Sequence, residues 1–142
     1  MNKKTFLCIC IFFINCLFIY AKDKFPVESL PNEALSFIKS TYPNTYIEEI
    51  KMDKGIYDVK LVNNVNILFT YSGIWTKVKS RYIPVPENIL PNSIVNYIHI
   101  NEPNASIENI EKTGEIYKIL FFNRVFIKIA SDGSILYRGI KH

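Results

Sequence analysis

The chain has 142 residues and a formal net charge of +4 at pH 7, from 17 Lys and Arg against 13 Asp and Glu. Basic and acidic residues are interspersed along it, which argues against the basic stripe or patch of a nucleic-acid-binding domain. Its length is that of one domain, and a domain of this size can bury its core without disulfide staples.

The first 21 residues have the organisation of a secretory signal peptide. Lys3 and Lys4 give a positive start, an apolar run extends from 6 to 20, and Ala21 precedes the polar run 22–24. The apolar run is shorter than the roughly 20 residues that span a bilayer. We therefore expect cleavage after Ala21, a secreted or periplasmic location, and no transmembrane segment in the mature chain.

All three cysteines, Cys8, Cys10 and Cys16, lie inside this N-terminal segment. Cleavage after Ala21 leaves 121 residues that contain no cysteine. The mature chain would then have no disulfide, no thiolate nucleophile and no cysteine-ligated zinc. Two alternatives stay open: an uncleaved N-terminal anchor, and a lipoprotein that is acylated at Cys16.

The rest of the sequence aligns with itself, without a gap, when it is shifted by 60 residues. Over the 46 positions from 30 to 75, 15 residues are identical to their partners. One register kept over this length indicates an internal duplication. We predict a single domain, 22–142, made of repeat units 28–80 and 87–140 that are joined by a linker, 81–86.

Each predicted unit begins with a helix. Pro31 and Pro91 stand where the first helical turn tolerates proline. Pro43 and Pro103 end the helices, because proline disfavours the helical conformation of the residue before it. Between these prolines, apolar residues recur at helical spacing; they are Leu30, Ala34, Leu35, Ile38 and Tyr42, and then Leu90, Ile94, Val95 and Ile98.

Four short strands are predicted after each helix, because apolar and polar residues alternate as in half-buried antiparallel strands. The alternation requires three-residue hairpin turns that end on a left-handed residue, at Asn64, Gly73, Arg124 and Gly133. Phe69 then pairs with Trp75, and Ile129 with Ile135, all facing inward. The expected fold is α+β: two tandem α-β-β-β-β units form one antiparallel sheet with both helices packed on one face.

These features resemble the PepSY-like family, also described as beta-lactamase-inhibitor-like. The resemblance is carried by Leu-Pro at the start of each helix, by Tyr57-Asp58-Val59-Lys60-Leu61 as Tyr-x-Val-x-Leu, and by Gly73-Ile74-Trp75 as Gly-x-Trp. It extends from Leu30 to about Arg138. The family's Asn-Gly hairpin is Asn63-Asn64 and Asn123-Arg124 in this chain. The resemblance implies a secreted or periplasmic protein that binds or inhibits another protein.

The sequence offers no constellation for catalysis. It has two histidines, His99 on the solvated face of a helix and His142 at the C-terminus, and it lacks a Gly-x-Ser-x-Gly nucleophile elbow and a Gly-rich phosphate loop. The acidic clusters Glu48–Glu49 and Glu108–Glu111 are interpreted as solvated residues at strand edges. We therefore expect no catalytic residue, no metal site and no cofactor.

The candidate binding surface lies on the sheet face away from the helices. There the second unit carries Leu120, Phe122 and Phe126 where the first has Lys60, Val62 and Asn66. Clustered exposed apolar side chains mark interaction sites. The predicted binding residues, with Phe122 in the adjoining turn, are Lys118, Leu120, Phe122, Phe126 and Lys128. Alternatively, a terminal segment or a second copy of the chain packs on this face and covers it.

Three functions are consistent with these patterns. The first is a protein-binding or inhibitory module whose partner is another exported or envelope protein, with no role for nucleic acid. The second is a structural or chaperone-like component of the cell envelope. The third is an enzyme with an unrecognised carboxylate site. A homo-oligomer stays open under each of them.

Overall fold

The computed structural model describes residues 25–142. The predicted signal peptide and its cleavage site therefore lie outside the described residues. In the described part, each unit has a short 3₁₀ turn, Val27–Ser29 or Glu87–Ile89, followed by one α-helix and four β-strands. The helices are α1 (Asn32–Thr41) and α2 (Asn92–Asn101), and the strands are β1 (Ile47–Asp53), β2 (Ile56–Leu61), β3 (Val65–Thr70), β4 (Trp75–Ser80), β5 (Ile107–Thr113), β6 (Ile116–Phe121), β7 (Val125–Ala130) and β8 (Ile135–Ile140).

Both helices begin after a proline and end before one. Pro31 and Pro91 are the N-cap residues, and Tyr42 and Glu102 are the C-cap residues, each followed by a proline. The N–H of Tyr42 donates to the Ile38 carbonyl at 2.8 Å, which closes the last turn. Within residues 25–142, no helix has the length and hydropathy needed to cross a membrane.

The eight strands form one antiparallel sheet in sequence order, β1 to β8. The turns that join β2 to β3 and β6 to β7 end on Asn64 and Arg124, with φ of 62° and 73°. Gly73 and Gly133 hold φ of 90° and 88° in the turns that precede β4 and β8. The predicted left-handed turn residues are thus confirmed, and Arg124 adopts this conformation in spite of its side chain.

Gly73 is required for a second reason. The N-terminus of α1 lies so close to the β3–β4 turn that a Cβ at Gly73 would stand 2.8 Å from Pro31 Cβ and 3.0 Å from the Ala34 nitrogen. A side chain at this position would push the helix off the sheet. The glycine therefore sets how closely α1 packs on the sheet.

The two units meet at β4 and β5, where Lys77, Val78 and Lys79 pair with Glu111, Ile110 and Asn109. Val78 and Ile110 are both fully buried. The segment 81–86 before the second 3₁₀ turn contains no strand, and the N–H of Val85 donates to the Ile107 carbonyl at 2.8 Å. The pairing of β4 with β5 joins the two four-stranded units into one continuous sheet.

One hydrophobic core lies between the sheet and the two helices. Ala34 and Ile38 of α1 and Ile94 and Ile98 of α2 belong to it. Most of the predicted inward residues of the sheet belong to this core, and Tyr117 is partly buried against it. The buried ones are Tyr57, Val59, Leu61, Val65, Ile67, Phe69, Ile119, Phe121, Val125, Ile127 and Ile129. The predicted α+β fold, with its two tandem helix-plus-four-strand units, is confirmed.

One inward residue is exposed. Ile135 pairs with Ile129, as expected, but 42% of it is exposed, whereas Trp75 at the equivalent position is 9% exposed. The reason is position in the sheet: β8 is an edge strand, while β4 is followed by β5. The predicted pairing is therefore confirmed, but the edge position leaves the side chain of Ile135 exposed.

Candidate functional site

The sheet face turned away from the helices, which we call the open face, has no helix of the described chain packed on it. In the second unit, two rows of residues run across it from strand to strand. Leu120 pairs with Phe126, which pairs with Gly139, and in the next row Lys118 pairs with Lys128, which pairs with Tyr137. The alternation of residues along the sequence predicted that the members of these rows on β6 and β7 lie on the open face.

Five of the six residues of these rows, all except Lys128, line an open depression of about 470 Å³, which we call the apolar depression. Its apolar lining comes from β6, β7 and β8: Leu120, Phe126, Tyr137, Gly139 and Ile140. Polar side chains form its border: Lys77, Asn109, Glu111, Lys118 and Lys141. Three strands of the second unit thus build an apolar surface with charged side chains around it.

Tyr137 lies flat along its own strand because Gly139 has no side chain. A Cβ at Gly139 would overlap the Tyr137 hydroxyl and would stand 2.8 Å from its Cζ. The ring of Tyr137 packs instead against Phe126, with centroids 6.0 Å apart and planes at 52°. The glycine therefore brings the two aromatic rings of the depression together.

Leu120 and Phe126 differ in accessibility. Leu120 is only 6% exposed, because its cross-strand neighbours Asn109 and Phe126 flank it on the open face. The expectation that Leu120 is exposed was wrong, although its orientation was correct. Phe126 is half-buried, and Tyr137 and Ile140 are 55% and 54% exposed. Ile140 pairs with the core residue Val125, so a partner on the open face would touch the two rings before it touched Leu120.

The remaining predicted binding residues lie around this surface. Lys118 borders the depression, and Lys128 stands directly across from Lys118 on the open face. Phe122 is 36% exposed in the β6–β7 turn, where its N–H donates to the Ser106 carbonyl at 2.9 Å, and it does not line the depression. The structure brings together Lys118, Leu120, Phe126 and Lys128, and it places Phe122 apart from them.

A second depression of about 660 Å³ adjoins the first and lies over β2, β3 and β4. We call it the polar depression. Asn66 Nδ2 donates to Asp58 Oδ1 at 3.3 Å within it, and Lys77, which lines both depressions, forms an ion pair with Glu111 at 3.8 Å. Its charged lining consists of Asp58, Lys60, Lys77, Lys79, Arg81 and Glu108.

Both acidic clusters contain glutamates that form ion pairs with basic side chains. Glu48 contacts Lys60 at 3.1 Å, and Glu108 contacts Arg124 at 4.0 Å. β1 is an edge strand, but β5 lies in the middle of the sheet, so the placement of Glu108–Glu111 at a strand edge was wrong. Residues 25–142 contain no group of three or more His, Cys, Asp or Glu side chains that could hold a metal ion.

His99 lies on the exposed side of α2, as predicted. Its Nε2 is 2.7 Å from Glu87 Oε2, and 61% of its side chain is exposed. Glu87 stands in the 3₁₀ turn that precedes α2. This contact links two neighbouring surface elements, and it lies away from both depressions.

Seven residues that line the apolar depression were not predicted as binding residues: Lys77, Asn109, Glu111, Tyr137, Gly139, Ile140 and Lys141. A signal for Tyr137 was present, because a shift of 60 places it on Lys77, an open-face position. Gly139 and Ile140 carry no such signal. Their part in the site depends on how the Tyr137 ring lies across β8.

Comparison with known proteins agrees with this architecture. The family model "Putative beta-lactamase-inhibitor-like, PepSY-like" matches residues 18–73 and 55–137. No curated protein matches the chain significantly. Several solved structures do.

A Bacteroides vulgatus protein described as a "putative periplasmic protein from DUF2874 family" is 29% identical, covers 84% of this chain and 98% of its own, and superposes with a TM-score of 0.74. A "putative calcium-regulated periplasmic protein" from Bacteroides thetaiotaomicron is 24% identical, with 82% and 94% coverage and a TM-score of 0.75. At that identity the second likeness concerns the fold. Since the family model matches more than half of the sequence, this chain belongs to the PepSY-like, beta-lactamase-inhibitor-like family.

Proposed function

We propose that this protein is an exported, non-enzymatic module that binds another protein on its open face and thereby blocks or regulates it. The observation that carries the proposal is the apolar depression, in which the rings of Phe126 and Tyr137 reach solvent side by side. Aromatic side chains bordered by charged groups are the composition of binding hot spots. Such side chains gain free energy when a partner removes them from water.

Export is supported by two independent features. Residues 1–21 have the charge, apolar run and small residue of a cleaved signal peptide. The Bacteroides vulgatus protein, which is 29% identical over nearly its whole length, is described as periplasmic. The partner we propose is therefore itself an exported or envelope protein.

The proposal predicts that capture of a partner depends on the apolar depression. In pull-downs from an envelope extract of the bacterium that encodes the chain, Phe126→Ser and Tyr137→Ser should each lose the bands that the wild type captures. Phe122→Ser is the matched control, because it removes an exposed aromatic ring next to the depression without changing its lining.

Melting of each variant, followed by circular dichroism, shows whether it is folded. We expect Tyr137→Ser to destabilise the fold less than Phe126→Ser, because Tyr137 lies on the edge strand and more than half of it is exposed. If Tyr137→Ser and Phe126→Ser, both folded, capture the same bands as the wild type, the open face is not the binding surface.

A further inference from the structure

The positive charge of the protein is concentrated on the open face. Residues 25–142 contain 13 Lys and Arg and 12 Asp and Glu, which is close to balance. The residues that line the two depressions nevertheless include six cations against three carboxylates, and Lys128 is a further cation on the same face. The other carboxylates of residues 25–142 therefore lie outside the linings of the two depressions.

Several of these cations have no compensating group. Lys79 and Arg81 form no ion pair within residues 25–142, although Arg81 lies 5.5 Å from the centroid of the Tyr82 ring. Lys118 and Lys128 stand directly opposite each other on β6 and β7, a placement that destabilises a sheet. An anionic group bound above them would relieve this repulsion.

The cations and the apolar depression are aligned. Lys79, Asn109, Leu120 and Phe126 occupy successive positions of one row, on β4, β5, β6 and β7. Neighbouring strands are about 4.8 Å apart, so three steps separate Phe126 from Lys79 by about 14 Å. An extended chain covers that distance in about four residues, at about 3.3 Å per residue.

Asn109 lies between the two ends of this row. Its Oδ1 is buried without a hydrogen-bond partner in the described part of the chain. A buried acceptor without a partner costs free energy, and a segment lying along the row cannot reach this oxygen unless the Asn109 side chain turns outward. The row therefore offers an apolar position at Phe126 and a cation at Lys79, with Asn109 and Leu120 between them.

We propose that the partner binds through an acidic segment that crosses the strands, with an aromatic or large aliphatic anchor in the apolar depression and carboxylates about four residues away at Lys79 and Arg81. This inference rests on the proposed function and specifies the chemistry of the partner. Charge complementarity of this kind steers association and selects among partners.

The lining favours an acidic protein over a uniform polyanion. Asp58, Glu108 and Glu111 are interspersed among the cations of the two depressions. They would repel a continuous row of phosphates, whereas a protein segment can place its carboxylates only where cations lie. The apolar depression also requires an apolar anchor, which a nucleic acid backbone does not supply.

The test uses the protein expressed from the full-length chain and three fluorescein-labelled nonapeptides. The first has a Phe followed, four residues later, by three Asp; the second has Lys in place of Asp; the third has Ser in place of Phe. The first peptide should bind and shift the amide resonances of both Lys79 and Phe126. The second and third should bind at least about tenfold more weakly.

Salt and charge reversal locate the electrostatic part of the binding. The affinity for the first peptide should fall at least about fivefold between about 20 mM and about 300 mM NaCl, as screening shortens the reach of exposed charges. Lys79→Glu should weaken binding to a similar extent. The matched control is Lys39→Glu, which reverses one exposed lysine on α1, on the other side of the sheet.

The outcomes separate this inference from the proposed function. If the Asp and Lys peptides bind equally well, if salt has no effect, or if none of the peptides binds, the acidic partner is excluded. Tighter binding to phosphatidylglycerol vesicles or to a DNA oligonucleotide would also overturn it. Full affinity of folded Phe126→Ser for the first peptide would exclude the aromatic anchor in the apolar depression. The proposed function fails separately, if folded Phe126→Ser and Tyr137→Ser capture the same envelope proteins as the wild type.

Discussion

Trp75 packs between two side chains from different elements. The ring of Phe37 in α1 stacks on it with centroids 5.7 Å apart, and Lys112 Nζ of β5 lies 4.1 Å from its centroid. Burial lowers the pKa of the Lys112 ammonium, which is consistent with its position against the indole. Trp75 is therefore covered both by its own unit and by the second one.

At the residue scale, we expect Trp75→Ala to lower the free energy of unfolding by about 3–5 kcal/mol, the usual cost of emptying an aromatic core position. The matched control is Ile135→Ala at the equivalent position of the second unit, which should cost about 1 kcal/mol or less because β8 leaves that side chain exposed. Urea unfolding measures both changes.

The wild-type fluorescence provides an independent check. A buried indole emits at shorter wavelength than a solvated one, and the maximum should move to longer wavelength on unfolding. A loss below about 1 kcal/mol for Trp75→Ala, together with the emission of a solvated indole, would place this side chain at the surface.

At the scale of elements, the two units differ where the sheet ends. Tyr42 and Val78 are buried in the first unit, and the equivalent residues of the second are Glu102 and Arg138. Arg138 Nε donates to Glu102 Oε1 at 2.5 Å, and its Nη2 donates to Oε2 at 3.3 Å. An ion pair between the edge strand and the end of α2 thus stands where the first unit has two buried residues, Tyr42 and Val78.

This replacement has a physical reason. Val78 lies between β3 and β5, whereas Arg138 lies on β8, which has no further strand of residues 25–142 beside it. A charge that points inward from an edge strand opposes the pairing of another strand there. In repeat proteins, terminal units of this kind end the array with a polar surface.

We expect Arg138→Met to lower the melting temperature, because it leaves the buried Glu102 carboxylate without its cation. Adding Glu102→Gln should recover part of the loss, since the second change removes the uncompensated charge. Arg81→Met is the control, an exposed arginine without an ion pair in the described residues. Equal melting of wild type and Arg138→Met would show that the pair does not stabilise the sheet end.

At the scale of the whole molecule, the proposed site depends on both units. The apolar depression is built by β6, β7 and β8, whereas Lys79 and Arg81, which form no ion pair within residues 25–142, come from β4 and the segment after it. Lys77 lines both depressions and pairs with Glu111 across the β4–β5 junction. Neither unit alone carries the complete surface, so the junction of the repeats positions the site.

The processing of the chain is also a whole-molecule prediction. Residues 1–21 should be removed on export, so the intact mass of the exported protein should correspond to a chain that starts at Lys22. Mass spectrometry of the periplasmic or secreted fraction measures this. A mass that includes Met1 to Ala21, or a diacylglycerol adduct on Cys16, would contradict it.

Much of the fold was predictable from local pattern. The prolines at 31, 43, 91 and 103 delimit the helices, and the two-residue alternation assigns most strand residues to a face, because both effects act within one element. Because the units repeat, the second unit shows the same proline positions and the same strand alternation as the first. Alternation also placed Leu120, Phe126, Lys118 and Lys128 on the open face.

The rest depended on contacts between distant parts of the chain. The burial of Leu120, the exposure of Ile135, the ring of Tyr137 against Phe126 and the pairing of Glu102 with Arg138 each need a neighbour from another element. By itself, the sequence determined the units, their elements and the face of most strand residues, since these follow from backbone geometry. Only the tertiary structure decided which strand lies at the edge and how the side chains on the open face meet, because strand order and side-chain packing are set by contacts that no local pattern encodes.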